Sequence, residues 1–554
     1  MSNEQPNAAD TSRRPKWTVM IYMAGDNNLT EECIYSLTEM KKVDLGEDVQ
    51  VFVQYDPKDD FLPVKRYRIN RPPEDSVQDD KKNAKPNQIE DDKFDEVQLN
   101  GEFKFESPHM KPYRRFTGDQ KERPGEGFSG DPAALYNFIA YCLDPPSSAP
   151  VLRSDHYLFI ICGHGGGAER DYLLRDDSPQ GYLTLKELGQ VLYELNRDFT
   201  HENGRPFVLD LFGMDTCLMS MTEIAYELRG HVKVAISCPS YAPASGWPYK
   251  EVLEVIKDSC KAACVETGEE DLSRDCFRRL AKEIVNTYVD FYADYSFGGL
   301  SVTQSALDIR LVNQLIDGKP RMGGNAELVG LKKIADTFTK KLDEILPSKD
   351  NDPPPYYDSF TTAMVLAHWQ AQSYNGELYV DLADFLKVLA DRLRLIANPE
   401  PDILELARQC DELAKFIEKL FVIASCYSGR KFQWTYGLSV YFPWDHVLPY
   451  YADAIAFPKH SGWVNFLEKY VRASRRPPRD NSRWFENIDE VRMGPDKMGP
   501  DKSQMINPIH SMRNPPIAVD TGKQPPSDKA EEDPPKPPRR KPGKPKPAKR
   551  GKTR

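Results

Sequence analysis

The segments His156-Tyr157-Leu158-Phe159-Ile160-Ile161-Cys162-Gly163-His164-Gly165-Gly166-Gly167 and Phe207-Val208-Leu209-Asp210-Leu211-Phe212-Gly213-Met214-Asp215-Thr216-Cys217 follow one plan. Each is an apolar run of strand length that ends in a reactive side chain, His164 in the first and Cys217 in the second. A thiol becomes a good nucleophile when an imidazole takes its proton or stabilises the thiolate, and strand ends at a sheet rim can hold both groups. The pair reads as the machinery of a cysteine hydrolase.

Working outward, strand and helix signals alternate over the first 270 residues. Thr18 to Met23 reads as strand, Thr30 to Met40 as helix, and Val49 to Tyr55 and Val64 to Ile69 as strands. A helix over Asp131 to Leu143 precedes the histidine strand. Helices over Thr184 to Arg197 and Ser220 to Leu228 flank the cysteine strand, and a strand follows at Val232 to Cys238. Alternation of this kind predicts an α/β fold, a mostly parallel sheet sandwiched by helices. His164 and Cys217 then fall at carboxyl ends of strands, where open α/β sheets place their sites. From Cys276 to Ala473 helical patterns dominate, over Phe277 to Tyr295, Asn325 to Leu346 and Asp381 to Ile396, with strand-like Gly299 to Asp308 and Tyr436 to Phe442 between them.

These signals divide the chain into an N-terminus over 1–15, a catalytic domain over 16–275, a helix-rich C-terminal subdomain over 276–473 and a Pro/Lys/Arg-rich tail over 474–554. Residues 70–127, rich in Pro, Asp and Lys, read as an inserted flexible loop with a hairpin near Val97 to Phe105. The tail carries the near-duplicate Met493-Gly494-Pro495-Asp496-Lys497 and Met498-Gly499-Pro500-Asp501-Lys502 and reads as disordered.

The histidine precedes the cysteine by 53 positions, close to the roughly 50 of caspase-type proteases. Further landmarks are Trp17-Thr18-Val19-Met20-Ile21-Tyr22-Met23-Ala24-Gly25-Asp26-Asn27-Asn28-Leu29, Gly130-Asp131-Pro132 and Ser245-Gly246-Trp247-Pro248-Tyr249. Ser305-Ala306-Leu307-Asp308, Tyr379-Val380-Asp381-Leu382 and Gly437-Leu438-Ser439-Val440-Tyr441-Phe442-Pro443 follow in order. In these segments, spread over residues 16 to 470, the chain resembles the clostripain family of cysteine peptidases, with a caspase-like fold.

The resemblance implies Cys217 as nucleophile and His164 as its proton acceptor, with backbone N–H groups of Gly165 and Cys217 binding the oxyanion. It also implies that Asp215 lines the S1 pocket and attracts a P1 Arg or Lys; a desolvated carboxylate paired bidentately with a guanidinium makes Arg at least as good as Lys. Asp215 alternates with Cys217 along an extended strand, so both side chains leave one face. Competing readings are a helix-capping role for Asp215, a buried structural thiol at Cys217 and a turn histidine at His164. Cys162 alternates with His164 in the same way and reads as a buried thiol. Trp247 reads as a cleft-lining residue or, equally, a core tryptophan. Where many relatives carry acidic residues before the Gly-Trp-Pro-Tyr stretch, this chain has Cys238-Pro239-Ser240-Tyr241-Ala242-Pro243. Arg170 and Arg175 are candidate self-cleavage points, with Arg175 the better loop candidate.

No metal or other cofactor is expected. Calcium dependence occurs in part of the resembled family, but neither Asp176-Asp177 nor Asp26-Asn27-Asn28 has the spacing of a calcium loop. Cys260, Cys264 and Cys276 lack the partners of a zinc site and read as isolated thiols. There is no phosphate-binding Gly-x4-Gly-Lys motif. The net charge of −11 hides an acidic stretch over Asp56 to Asp95 and a basic end. That end suits weak attraction to nucleic acid or anionic surfaces, without aromatics for base stacking. Met1 to Lys16 lacks the apolar core of a secretory signal and no run of about eighteen apolar residues occurs, so the expectation is a cytoplasmic protein acting on polypeptides, with secretion by an unconventional route or a misassigned start as the alternatives. The alternative is a silent caspase-like scaffold whose basic tail recruits partners.

Overall fold

In the computed structural model the described residues are 15–58, 64–69, 129–143, 154–170, 172–177, 180–200, 204–266, 274–319, 327–346 and 358–474. The 70–127 insertion with its expected hairpin, the N-terminal 14 residues and the tail beyond 474 lie outside them.

Thirteen strands are described. In chain order they are β1 (Trp17–Gly25), β2 (Val49–Pro57), β3 (Lys65–Ile69), β4 (His156–Cys162), β5 (Leu174–Asp177), β6 (Gln180–Leu183) and β7 (Leu209–Asp215), then β8 (Val232–Ser237), β9 (Val302–Asp308), β10 (Ser373–Tyr374), β11 (Tyr379–Asp381), β12 (Val422–Ser428) and β13 (Ser439–Tyr441). Eight form one sheet in the order β12-β9-β8-β7-β4-β1-β2-β3. The centre from β8 to β2 is parallel, and β3, β9 and β12 are antiparallel additions at the edges.

The central strands are apolar along their length because both faces are covered. Met20, Tyr22, Phe159, Ile161 and Phe212 pack on one side with Leu135, Phe138 and Leu188. Val19, Ile21, Leu158, Ile160 and Leu211 pack on the other with Leu37, Leu253, Phe277 and Leu280. Side chains two apart along a strand share a face, so one apolar run supplies two cores.

The chain leaves β1 for β2 on one side and returns to β4 on the other. The gap between the carboxyl ends of β1 and β4 is therefore the topological switch point, the crevice where α/β sheets accept ligands.

Residues 276–473 supply the expected helices, including Cys276–Ala293, Leu331–Ile345 and Leu382–Arg394. They also add β9 and β12 to the main sheet, so that sheet is continuous across the boundary drawn at 275/276. β12 escapes sequence patterning because it follows the helix Pro401–Phe416 directly through the π-turn Ile417–Phe421, with no Gly or Pro to mark where helix gives way to strand. A second sheet, β10-β11-β13, docks beside the cysteine segment through a parallel bridge from Met221 to Ser439.

Two expectations are corrected. The polar stretch Ala168 to Gly181 contains a paired hairpin, β5–β6. Cys264 and Cys276 form a disulfide rather than isolated thiols. The loop after the helix Tyr249–Ser259 returns to the start of the helix Cys276–Ala293, where the Cys276 N–H donates to the Val265 carbonyl at 3.0 Å, and their Cα atoms lie 5.2 Å apart, which spacing in sequence does not reveal. Cys260 remains a free, buried thiol. No described helix is long and apolar enough to cross a membrane.

Candidate active site

Cys162 and Asp215 are direct partners in the parallel pairing of β4 with β7, and the Gly163 N–H donates to the Asp215 carbonyl at 3.2 Å. His164 and Cys217 each follow that pair by two residues. The two reactive side chains therefore leave adjacent strands at the same level of the sheet.

The glycines after His164 are a packing requirement. A Cβ on Gly165 would lie 2.7 Å from the Cys217 carbonyl oxygen and 2.4 Å from Met219 Cε. Only a glycine lets the histidine loop lie against the cysteine turn. Neither the Gly165 nor the Cys217 backbone N–H donates to another group among the described residues. We expect Gly165→Ala to fold yet lose about 10- to 100-fold in kcat/KM, since a shift of about 1 Å at reacting groups costs that much. Circular dichroism beside peptide hydrolysis checks both halves.

The turn carrying the nucleophile is strained. Leu218, directly after Cys217, holds φ at +62°, a region that costs a bulky residue on the order of 1–3 kcal/mol. It stays there because its N–H donates to the Ser240 carbonyl at 2.9 Å and its side chain is buried. The same segment reaches the thiol itself, with the Ala242 N–H 3.3 Å from Cys217 Sγ.

Charge in the site is held low at rest. Burial pushes the Cys217 thiol above its usual range, and the Asp215 carboxylate adds to this against the Ala242 N–H. Burial and the Arg175 guanidinium pull the His164 imidazole below its usual value, with Asp177 opposing them. Both shifts favour the uncharged forms, a thiol beside a neutral imidazole. The rival Cys162 is buried, and its thiol is pushed well above the usual range by contact with Cys33 and by burial.

His164 also has a partner that sequence reasoning missed. Its Nε2 lies 2.7 Å from Asn28 Oδ1, from a residue 136 positions earlier in the turn after β1. The strand-end signal of β1 marks the turn, but nothing local links Asn28 to the histidine.

Asp215 is 4% exposed. Its Oδ2 accepts from the Trp247 N–H at 3.0 Å and from the Tyr249 hydroxyl at 2.9 Å. Gly246, at φ +68°, covers both carboxylate oxygens; a Cβ there would stand 2.6 Å from Oδ2. Burial pushes this carboxyl up to about 6 against its hydrogen bonds. Asp215 is thus a charge beneath the Gly246 peptide, not an open fork. Trp247 does not line an open cleft either: its indole is buried against Gly213, and its contribution to the site is the backbone N–H on Asp215.

The remaining candidates are spent locally. Asp176 Oδ2 accepts from the Ser129 N–H at 2.6 Å, and Asp177 pairs with Arg175 at 2.9 Å and with Lys58 at 3.5 Å. Asn27 bridges the Ala24 and Arg175 carbonyls, each at 2.9 Å. Arg170 ends the short helix Gly167–Arg170. Arg175 sits within β5 opposite Tyr182, in a strand rather than the expected loop, so a cut after it requires the hairpin to open.

The sequence is 26% identical over 286 residues to clostripain of Hathewaya histolytica, covering 48% of this chain and 46% of that protein; the chain thus matches about half the length of this curated relative. Among solved structures, a secreted C11 cysteine protease from Bacteroides thetaiotaomicron in complex with an irreversible peptide inhibitor aligns with a TM-score of 0.47 at 15% identity, over 81% of this chain and 99% of that one. An inactive zymogen C11 protease from Parabacteroides distasonis aligns with a TM-score of 0.43 at 14% identity, over 84% and 99%. The family model of the clostripain family matches residues 21–394, and by that match the chain belongs to the clostripain family.

Proposed function

We propose that this chain is a cysteine endopeptidase. The single observation that carries the reading is the placement of His164 and Cys217 two residues beyond a directly paired position on adjacent parallel strands. As the Cys217 sulfur attacks the peptide carbonyl, its proton passes to His164 and a C–S bond forms. The N–H groups of Gly165 and Cys217 take the oxyanion, a geometry in which each donor contributes about 3–4 kcal/mol to the transition state. Collapse breaks the C–N bond, and the imidazolium protonates the leaving amine. Water, deprotonated by His164, then hydrolyses the thioester and restores the thiol.

Preference for a basic P1 residue rests on Asp215, whose charge reaches the Cys217 sulfur. Because Oδ2 already accepts from Trp247 and Tyr249 and Gly246 lies over the carboxylate, it acts through charge across the Gly246 peptide rather than by a bidentate grip. Arg and Lys should then serve alike, since bidentate geometry is what separates them. Self-processing, if it takes place between the dyad residues, falls after Arg170 in preference to the paired strand at Arg175.

The test is hydrolysis of matched fluorogenic peptides with Arg, Lys, Asp or Leu at P1, with and without calcium, at pH 8. Cleavage after Arg and Lys at comparable rates is the expected result. Faster cleavage after Leu or Asp sinks the role of Asp215. Absence of turnover together with failure of an Arg-containing acylating probe to label Cys217 leaves the scaffold reading. Intact-mass measurement of the same preparation reports the cut after Arg170.

A further inference from the structure

Asn28 projects from the turn between β1 and the helix Thr30–Met40, at the switch point of the sheet. Its side chain is exposed and makes no other hydrogen bond among the described residues than the one to His164. An exposed neutral hydrogen bond adds little to folding, so stability does not account for it.

The turn is built to hold this one side chain in place. Asn27 is buried; its Oδ1 accepts from the Leu29 N–H at 2.9 Å, and its Nδ2 donates to the carbonyls of Ala24 and Arg175. Thr30 Oγ1 donates to the Asn27 carbonyl at 3.0 Å, and the Asp177 N–H donates to the Asp26 carbonyl at 2.8 Å. The chain is therefore fixed on both sides of Asn28, from β1 and from the β5 hairpin.

An amide oxygen accepts and cannot donate. A contact between Asn28 Oδ1 and His164 Nε2 requires the ring proton to sit on Nε2, which leaves Nδ1 with the lone pair. We propose that Asn28 is the positioning residue of His164: its amide oxygen fixes ring orientation and the Nε2–H tautomer, so that Nδ1 is the atom that takes the Cys217 proton. The inference rests on the peptidase reading, and it adds a third member to a site that sequence resolves as two. The charged or titratable groups acting on His164 or on its partner Cys217 are Arg175 and Asp177 from β5 and Asp215 from β7.

The test compares wild type, Asn28→Ala, Asn28→Asp and Cys217→Ala on one P1-Arg peptide, as kcat, KM and pH profile. Asn28→Ala should lower kcat by about 10- to 100-fold, within the range expected of impaired general-base catalysis, and leave KM within about twofold. Asn28→Asp keeps the acceptor and adds charge, so it should retain kcat within about threefold on its plateau and move the acid limb upward by about half a pH unit or more. The proposal is overturned if Asn28→Ala loses less than about threefold in kcat, if Asn28→Asp is as impaired as Asn28→Ala, or if its acid limb coincides with wild type. Loss of activity in Cys217→Ala with a normal Asn28→Ala overturns only the role of Asn28. Activity surviving in Cys217→Ala overturns the peptidase reading itself.

Discussion

Cys217→Ala is expected to lower kcat/KM by at least about 10⁴-fold, and His164→Ala by a similar factor. The magnitude follows from what each residue does. Without sulfur no acyl-enzyme forms, and water at the same position is a far weaker nucleophile. Without imidazole the thiol, which burial already holds protonated, has no acceptor for its proton. Because the two act as a unit, the double variant should be no slower than the worse single one. Additive losses would mean that the two residues serve separate steps.

The neutral resting pair has its own signature. Alkylation of Cys217 by iodoacetamide should accelerate as pH rises through and beyond the ordinary thiol range, instead of being fast and flat from pH 5. A flat, fast profile would mean a preformed thiolate–imidazolium pair and would contradict the burial-driven shifts at Cys217 and His164.

Asp215→Asn should change both selectivity and the pH dependence of stability. A guanidinium about 6 Å from a carboxylate at an effective dielectric near 20 gains about 3 kcal/mol, or about 10²-fold. The ratio of Arg to Leu cleavage at pH 8 should fall by about that factor in the variant. In wild type the same ratio should decline as the pH drops through about 6, where Asp215 takes up its proton. A ratio that survives the substitution would assign P1 selection to other residues.

For stability, the folded value of about 6 exceeds the unfolded value of about 3.9. The folded protein therefore holds this proton more tightly. Its stabilising contribution is complete below about pH 4 and is lost as pH rises through about 6, on the order of 2–3 kcal/mol. Asp215→Asn has no such titration and keeps an acceptor for the Trp247 N–H, so its melting temperature relative to wild type should rise between pH 4.5 and 7.5. Asp215→Ala differs, because it strands the Trp247 N–H and the Tyr249 hydroxyl at about 1–3 kcal/mol each. A relative melting temperature independent of pH would show that Asp215 is not buried as described.

Local sequence is enough to mark the parallel centre of the sheet and the two reactive side chains at its rim. β1, β4, β7 and β8 are buried on both faces and so are written as mostly apolar runs, while His164 and Cys217 stand just beyond the points where two of those runs stop. That is local information, carried by solvation of each segment. Tertiary structure alone decided the rest. The Cys264–Cys276 pairing depends on a loop returning to the start of a helix, and β12 depends on a π-turn that carries a helix straight into a strand with no Gly or Pro between them. The covering of Asp215 depends on Gly246 folding over it from 31 positions away, and the hold on His164 depends on Asn28 arriving from the far side of the switch point. Each of these sets the chemistry of a group through its distance to residues remote in the chain, and such distances come from strand register and packing, which no local pattern of residues encodes.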